Sequence, residues 1–294
     1  MRRTLRIAAV LGIGVVLAST LGFAANAITI KGSDTMVILG QRWAEEYMAS
    51  HKGSVLQVTG GGSGTGIAAL INGSADIAEC SRPMKDKEKQ EVETKRGKKP
   101  FEIATALDGL AVYVNDASPI TKLSETQLKA IFQGDIKNWK DVGGPDADII
   151  MYSRENNSGT YAYFKEHVLE NEDFAPECQT LPGTASVINA VSKDPKSIGY
   201  GGIGYASGVK ALPISATDST EAIQPTEANV DSGKYPLARY LYWYTLGEPT
   251  GDIKALVDWV LGPEGQKIVS AVGYYPLPKK ASVADEKAKT GAGK

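Results

Sequence analysis

The amino-acid sequence predicts an α/β protein of two lobes with a ligand cleft between them, and three observations carry this prediction. Short β-type runs alternate with runs of helical period, which is typical of α/β layers with mainly parallel sheets. The chain has 294 residues, which is enough for two lobes. Segments rich in glycine and hydroxyl residues occur on both sides of residue 114, so we expect both lobes to contribute to one site.

The N-terminal segment predicts a signal peptide over residues 1–27. Three arginines within the first six residues precede an apolar run from Ile7 to Ala25, which ends in the small-residue pattern Ala25-Asn26-Ala27. We therefore expect cleavage after Ala27 and a mature protein outside the cytoplasm; the alternative is a retained membrane anchor. No later run reaches the roughly 20 apolar residues that span a bilayer.

The alternation of strands and helices continues along the rest of the chain. The capping box of Ser124 and Gln127 predicts a helix start, and Gly134 predicts its end. We expect two strands that cross between the lobes, with one lobe from 28–114 plus 241–285 and the other from 115–240. Further helices are predicted at 35–49 and 252–261, strands at 55–58, 75–78, 110–114 and 148–152, and a mobile tail at 286–294.

Charge and composition exclude several classes of protein. The net charge of −2 argues against nucleic acid as a partner, which needs a basic surface, so a bound anion would require a local positive site. No Cys or His spacing typical of a zinc site occurs. Whether Cys80 and Cys178 form a disulfide stays open, because the sequence does not give the distance between them.

Three loops combine glycine with hydroxyl residues at a predicted helix start. A helix N-terminus has free N–H groups and a partial positive charge, and glycine lets the backbone approach a ligand closely. Arg154 adds a planar donor group that is always charged and suits a tetrahedral oxyanion. One such loop could be an ordinary helix cap, whereas three in one chain indicate an anion site. The loops are Gly32–Thr35, Gly60–Gly66 and Arg154–Thr160.

The glycine motifs of the commonest enzymes are absent from the second loop. The dinucleotide pattern fails because Thr65 stands where its last glycine is required, and the P-loop fails because Ile67 follows Gly66. The nucleophile elbow fails because Thr65 stands two residues after Ser63, where glycine is required.

The order of four motifs resembles the phosphate-binding proteins of ABC-type phosphate importers. The resemblance extends from about residue 28 to 278, and the ordered set is more specific than any one of its members. The motifs are Lys31-Gly32-Ser33-Asp34-Thr35-Met36, Thr59-Gly60-Gly61-Gly62-Ser63-Gly64-Thr65-Gly66, Ala75-Asp76-Ile77-Ala78-Glu79-Cys80-Ser81-Arg82-Pro83, and Arg154-x3-Ser158-Gly159-Thr160.

The resemblance implies a two-lobe periplasmic-binding-protein fold that holds dehydrated inorganic phosphate in its cleft. It also implies a membrane permease as partner, no cofactor and no catalysis, and we expect a monomer. The phosphate-binding residues that it implies are Ser33, Thr35, Met36 (through its backbone), Ser63, Ser81, Arg154, Ser158, Gly159 and Thr160.

The third motif departs from some members of that family, which place an aspartate where this chain has Ser81 followed by Arg82. That carboxylate accepts a hydrogen bond from the protonated phosphate and repels sulfate. The acceptor must come from elsewhere or be absent. Asp34 and Asp108 are the candidates, with Asp108 favoured because it precedes a predicted crossing strand. Asp108 and Arg82 therefore join the candidate phosphate-binding residues; a simple turn at Asp108 and a salt-bridged or solvated Arg82 are the alternatives.

Other functions stay open at this point. The site could take another tetrahedral oxyanion, such as sulfate, molybdate or tungstate. A secreted hydrolase with Ser63 or Ser158 as nucleophile would need a nearby base, and both histidines, His51 and His167, lie outside the three loops. An adhesion or structural module would leave the three anion loops unexplained.

Overall fold

The computed structural model describes residues 27–278, so the predicted signal peptide, apart from Ala27, and the predicted mobile tail lie outside the described residues. The strands are β1 (Ile28–Gly32), β2 (Leu56–Thr59), β3 (Ile77–Cys80), β4 (Pro100–Val114), β5 (Leu123–Ser124), β6 (Ile150–Arg154), β7 (Gln179–Leu181), β8 (Ser197–Gly202), β9 (Lys210–Ala211), β10 (Ile214–Ser215) and β11 (Ala238–Leu246). The helices are α1 (Val37–Ser50), α2 (Ser63–Asn72), α3 (Asp86–Arg96), α4 (Glu125–Gln133), α5 (Gly159–His167), α6 (Gly183–Lys193), α7 (Glu227–Asp231), α8 (Gly251–Leu261) and α9 (Pro263–Val272). Two short 3-10 turns cover Trp139–Val142 and Ile203–Tyr205.

The main sheet has the strand order β2-β1-β3-β11-β4-β8-β6-β7, and β9 pairs with β4 at its side. Strand β4 is long enough to serve both lobes. Its residues from 100 to 109 pair with β11, and its residues from 110 to 114 pair with β8. The α/β two-lobe class predicted from the sequence is confirmed, with β4 and the start of β11 as the strands between the lobes, whereas the residue limits predicted for each lobe stay predictions.

The expectation of a mainly parallel sheet is only partly correct. Strands β1, β2 and β3 are parallel to one another, as are β6, β7 and β8. The pairs β3–β11, β4–β11 and β4–β8 are antiparallel. The reason is that β4 and β11 carry the chain from one lobe to the other and back, so they run in opposite directions beside each other.

Helices cover both faces of the sheet in each lobe. In the first lobe, α1, α8 and α9 pack on one face around Trp43 and Trp243, and α2 and α3 pack on the other. In the second lobe, α4 and α5 cover the face that holds Phe132 and Phe164, and α6 covers the opposite face. None of the helices in residues 27–278 is long and apolar enough to cross a membrane.

Local sequence signals account for the helix limits. The capping box at the start of α4 forms as predicted, since Gln127 N donates to Ser124 Oγ and Ser124 N donates to Gln127 Oε1, both at 3.0 Å. Gly134 ends α4 in the left-handed conformation. Cys80 and Cys178 are both unpaired, with Cys80 in the core of the first lobe and Cys178 packed against that of the second.

A carboxyl group is buried in the core of the first lobe. Glu79 on β3 is 0% exposed, and Trp243 Nε1 donates to its Oε1 at 2.9 Å. Its Oε2 has no hydrogen-bond partner among the described residues. Burial raises the pKa of Glu79 to about 8, and the bond from Trp243 opposes that rise. Glu79 is therefore mostly protonated in the folded protein at neutral pH.

We expect the free energy of unfolding to fall as the pH rises from about 4.5 to about 8, because the folded state keeps a proton on Glu79 that the unfolded state loses. Glu79→Gln removes this titration but keeps an acceptor for Trp243. The free energy of unfolding, measured with urea, should fall by about 3 kcal/mol from pH 5 to pH 8 in the parent relative to the variant. Identical pH dependence in the two proteins would contradict a neutral Glu79.

Candidate anion-binding site

Four loops meet between the lobes. Three follow β1, β2 and β3, whose carboxyl ends share one edge of the sheet because the strands are parallel. The fourth follows β6 and approaches from the second lobe. Gly64 N donates to Asn157 O at 2.9 Å, and Asn157 Nδ2 donates to Gly61 O at 2.9 Å. The strand–loop–helix placement predicted for the three glycine and hydroxyl loops is therefore present.

Four buried hydroxyl groups from these loops form one cluster. Thr35 Oγ1 lies 2.7 Å from Thr160 Oγ1, which lies 3.4 Å from Ser81 Oγ. Ser81 Oγ is 3.4 Å from Ser63 Oγ. All four side chains are at most 1% exposed. Thr160 belongs to the second lobe and the other three to the first, so the cluster spans the boundary between the lobes.

Two helices begin at this cluster. Helix α2 starts at Ser63, and α5 starts at Gly159 after Ser158, whose Oγ accepts from the backbone N of Thr160 at 3.2 Å and of Tyr161 at 3.3 Å. A Cβ on Gly159 would lie 2.3 Å from Ser63 Oγ, so the helix start approaches the first lobe only because this residue is glycine. Both helix N-termini direct partial positive charge toward the hydroxyl cluster.

Arg154 is the buried cation at the end of β6. Its side chain is 1% exposed, Nη1 donates to Thr184 Oγ1 at 2.6 Å, and Nη2 donates to Asp34 Oδ2 at 3.2 Å. Its Nε has no partner within residues 27–278. Burial lowers the pKa of Arg154, and the Asp34 carboxylate opposes this change. The guanidinium therefore keeps donor capacity for an anion.

Asp34 connects the first two loops and Arg154. Its Oδ1 accepts from Gly61 N at 2.7 Å, while its Oδ2 makes the 3.2 Å contact with Arg154. Its side chain is 19% exposed. The adjacent Ser33 is buried, and its Oγ has no hydrogen-bond partner in the described chain. Both residues thus offer polar atoms that are incompletely bonded within the protein.

Asp108, unlike Asp34, is completely buried and is paired with Arg239. It is 0% exposed, Ile203 N donates to Oδ1 at 2.9 Å, and Arg239 Nε donates to Oδ2 at 2.9 Å. Burial raises the pKa of Asp108, and the neighbouring Arg239 opposes that rise. Asp108 is thus fully buried with two contacts from Arg239 on Oδ2, whereas Asp34 is 19% exposed and its Oδ2 has the single 3.2 Å contact with Arg154 within the described residues.

Arg239 also contacts the hydroxyl cluster, although it was not among the residues predicted from the sequence. Its Nη1 donates to Ser81 O at 3.0 Å, and its Nη2 donates to Thr160 Oγ1 at 3.0 Å. The available signal was a lone charge at the start of the β-type run Arg239–Leu246, since a charge in a buried strand needs a partner.

Arg82 directs its side chain away from the cluster, and Met36, which was predicted to contribute its backbone, directs its side chain into the core. Arg82 donates through Nη1 and Nη2 to the Glu88 carboxylate, both at 2.8 Å, and through Nη1 to Pro83 O at 2.9 Å. The side chain of Met36 lies in the core of the first lobe, and its backbone N donates to Ser33 O at 3.0 Å. The structure brings together Thr35, Ser63, Ser81, Ser158, Gly159 and Thr160, with Ser33 and Arg154 adjoining through Asp34.

Comparison with known proteins gives a consistent set of similarities. A family model described as a PBP superfamily domain matches residues 18–264. The phosphate-binding protein PstS of Pseudomonas aeruginosa is 37% identical over 268 residues, which cover 85% of this chain and 83% of that protein. A structure from Clostridium perfringens solved with bound phosphate is 28% identical and has a TM-score of 0.78, over 86% of this chain and 100% of that one. An ABC-type phosphate transport receptor from Vibrio cholerae is 29% identical with a TM-score of 0.68, over 85% and 100% of the two chains.

Proposed function

The chain belongs to the PBP superfamily and, within it, to the family of the PstS phosphate-binding proteins, and from that membership we propose that it captures inorganic phosphate between its lobes for an ABC importer. Family membership alone does not give the site in this chain. We infer the residues that hold the anion from the contacts between the lobes.

The observation that carries the proposal is the buried hydroxyl cluster between two helix N-termini, with Arg154 beside it. Hydroxyl and backbone N–H groups can replace the water around an oxyanion with directed donors. Arg154 supplies a full positive charge beside the cluster, whereas the protein as a whole has a net charge of −2 and would not attract an anion. Donors from both lobes can then hold the lobes together around a small tetrahedral anion. We assign phosphate contact to Ser33, Thr35, the Met36 backbone, Ser63, Ser81, Arg154, Ser158, Gly159 and Thr160.

The same contacts support binding without catalysis. A serine nucleophile needs a base within hydrogen-bond reach. His51 stacks on Tyr47 and His167 lies against Tyr163, and within the described chain no hydrogen bond joins either histidine to Ser63 or Ser158. The protein therefore serves as a receptor that hands its ligand to a membrane permease. We propose that it does so as a monomer in the periplasm, exported by the signal peptide that the sequence predicts.

Isothermal titration with phosphate, sulfate and molybdate tests this function. Phosphate should bind tightly at one site per chain, and the other two anions should bind far more weakly. A chromogenic phosphoester incubated with the protein should show no turnover. Preferential binding of sulfate or molybdate would make this a receptor for that oxyanion, and turnover of the ester would favour the hydrolase alternative.

The contacts of the two candidate carboxylates support Asp34, rather than the Asp108 favoured by the sequence, as the group that distinguishes phosphate from sulfate. At neutral pH phosphate still has a proton to donate to a carboxylate, whereas sulfate has none and would place bare anionic oxygens against it. Oδ2 of Asp34 is available for such a bond, because its one partner within residues 27–278 is Arg154 at 3.2 Å and the side chain is 19% exposed. Asp108 is 0% exposed, and its Oδ2 already has Nε and Nη2 of Arg239 at 2.9 Å and 2.8 Å.

We expect Asp34→Asn to gain sulfate affinity by about 10-fold or more, because asparagine removes the repulsion and can donate to an unprotonated oxygen. Asp108→Asn should gain none. The measurement is competition by sulfate against labelled phosphate for each variant. A gain confined to Asp108→Asn would return the role to Asp108, and no gain in either would show that neither carboxylate selects the ligand.

A further inference from the structure

Arg239 lies at the boundary between the lobes, outside every motif that indicated the anion site. It is the second residue of β11, and it pairs in register with Asp108 on β4. Its side chain is 3% exposed, and Nη2 lies 2.8 Å from Asp108 Oδ2. The ion pair therefore joins the two strands that connect the lobes.

The Nη1 and Nη2 groups of Arg239 also donate to residues of both lobes. Nη1 donates to the carbonyl oxygen of Ser81, which follows β3 in the first lobe, at 3.0 Å. Nη2 donates to Thr160 Oγ1 on α5 of the second lobe at 3.0 Å. The guanidinium carbon also lies 5.2 Å from the centre of the Tyr163 ring. One side chain thus contacts a residue of the hydroxyl cluster in each lobe.

The bond to Thr160 determines which way that hydroxyl donates. A hydroxyl group has one proton to give, and Thr160 Oγ1 already accepts from Arg239. Its proton is therefore directed away from Arg239, toward the side of the cluster that holds Thr35 and Ser81. Ser63 is oriented indirectly. Its Oγ accepts from Ser81 N at 3.1 Å, so its proton is directed away from that N–H group. Arg239 fixes the position of Ser81 by donating to its carbonyl oxygen.

We propose that Arg239 is a positioning residue of the anion site: held by Asp108, it turns the hydroxyls of Thr160 and, through Ser81, of Ser63 into donors toward a bound oxyanion. The proposal rests on the proposed function, since it concerns the same site. It assigns the Asp108–Arg239 pair the role of setting hydroxyl orientation as the lobes close, whereas Arg154 supplies charge to the ligand.

A double-mutant cycle tests the proposal. Removing Arg239 alone would leave the buried Asp108 carboxylate without its cation, so the test uses Asp108→Asn with Arg239→Gln, which removes both charges. This double variant is combined with Thr160→Val, which deletes the hydroxyl that Arg239 orients. Affinity for phosphate, sulfate and molybdate is measured by titration in the four proteins, and the cycle is evaluated with whichever of these anions the parent protein binds.

We expect the double variant to bind its anion roughly 10- to 100-fold more weakly, as for the loss of charge-assisted hydrogen bonds. Thr160→Val should cause a similar loss in the parent protein but only a few-fold loss in the double variant, because the unoriented hydroxyl has less to contribute. Additive losses would overturn the proposal, since a purely structural ion pair predicts that the two changes act independently. Unchanged affinity in the double variant would also overturn it.

Tyr235→Phe is the matched control for general weakening at this boundary. Tyr235 is buried, and its hydroxyl donates to Leu110 O on β4 at 2.8 Å rather than to a residue of the hydroxyl cluster. This variant should unfold at a lower temperature and keep its anion affinity. Failure of the parent to bind phosphate while it binds sulfate or molybdate would overturn the choice of ligand but not the role of Arg239. Failure to bind any of the three would overturn both.

Discussion

We expect Arg154→Ala to weaken phosphate binding by about a thousandfold, equivalent to about 4 kcal/mol, while the protein stays folded. Arg154 is 1% exposed at the lobe boundary, and its Nε has no partner within the described residues, so alanine leaves nothing to replace a charged donor in a site sheltered from water. The fold should survive because, within the described part of the chain, the side chain is bonded only to Thr184 and Asp34, outside the apolar cores. Titration calorimetry measures the affinity, and circular dichroism checks the fold.

Two companion variants identify what Arg154 supplies. Arg154→Lys keeps the charge but loses the planar fork, so its affinity should fall between those of the parent and the alanine variant. Arg42→Ala is the control, since Arg42 is an exposed residue of α1 paired with Glu45 and Glu46, and it should bind phosphate like the parent. Parent-like affinity in Arg154→Ala would remove Arg154 from the site.

The second large effect is expected from the addition of one methyl group at Gly159. The new Cβ would lie 2.3 Å from Ser63 Oγ and 2.7 Å from Ser81 Oγ, closer than side-chain carbons approach oxygen. Gly159 belongs to the second lobe and both serines to the first, so the clash arises only when the lobes meet. We expect Gly159→Ala to lower phosphate affinity by about 100-fold or more.

Without ligand, the Gly159→Ala variant should be as stable as the parent or slightly more stable, because alanine favours the first turn of α5 more than glycine does. Thermal unfolding without phosphate should therefore match the parent, while the stabilisation by added phosphate should shrink. Gly64→Ala serves as a graded comparison, since its Cβ would lie 3.3 Å from Asn157 O and should cost less affinity. Equal losses in the two variants would contradict the steric explanation.

Local signals account for the parts of the structure that the sequence predicted well. The capping box at Ser124 and the three strand–loop–helix segments depend on residues within a few positions of each other, so their geometry can be inferred from spacing alone. The side chain of Arg82 could have been anticipated too. Neighbours in an extended segment point to opposite sides, so if Ser81 faces the cluster, Arg82 faces away from it.

The parts that were missed depend on contacts between distant positions. Arg239 and Asp108 are 131 residues apart, and nothing near either one shows that the other lies beside it. The same is true of the antiparallel pairing of β11 with β3 and β4, which the alternation of elements does not distinguish from a parallel arrangement. The choice between Asp34 and Asp108 likewise required knowing which carboxylate is fully buried against Arg239 and which is partly exposed.

The position of β11 between β3 and β4 has a consequence for the order of folding. A chain made from its N-terminus has β1, β2, β3 and all of β4 long before β11 exists, so the sheet of the first lobe cannot close until residue 246 is available. The second lobe is not delayed in this way, because β6, β7 and β8 all precede β11. Strand β8 can pair with residues 110–114 of β4, β6 with β8, and β7 with β6. The second lobe can thus complete its sheet before the first, while β3 and residues 100–109 of β4 keep open edges that are prone to association with other strands.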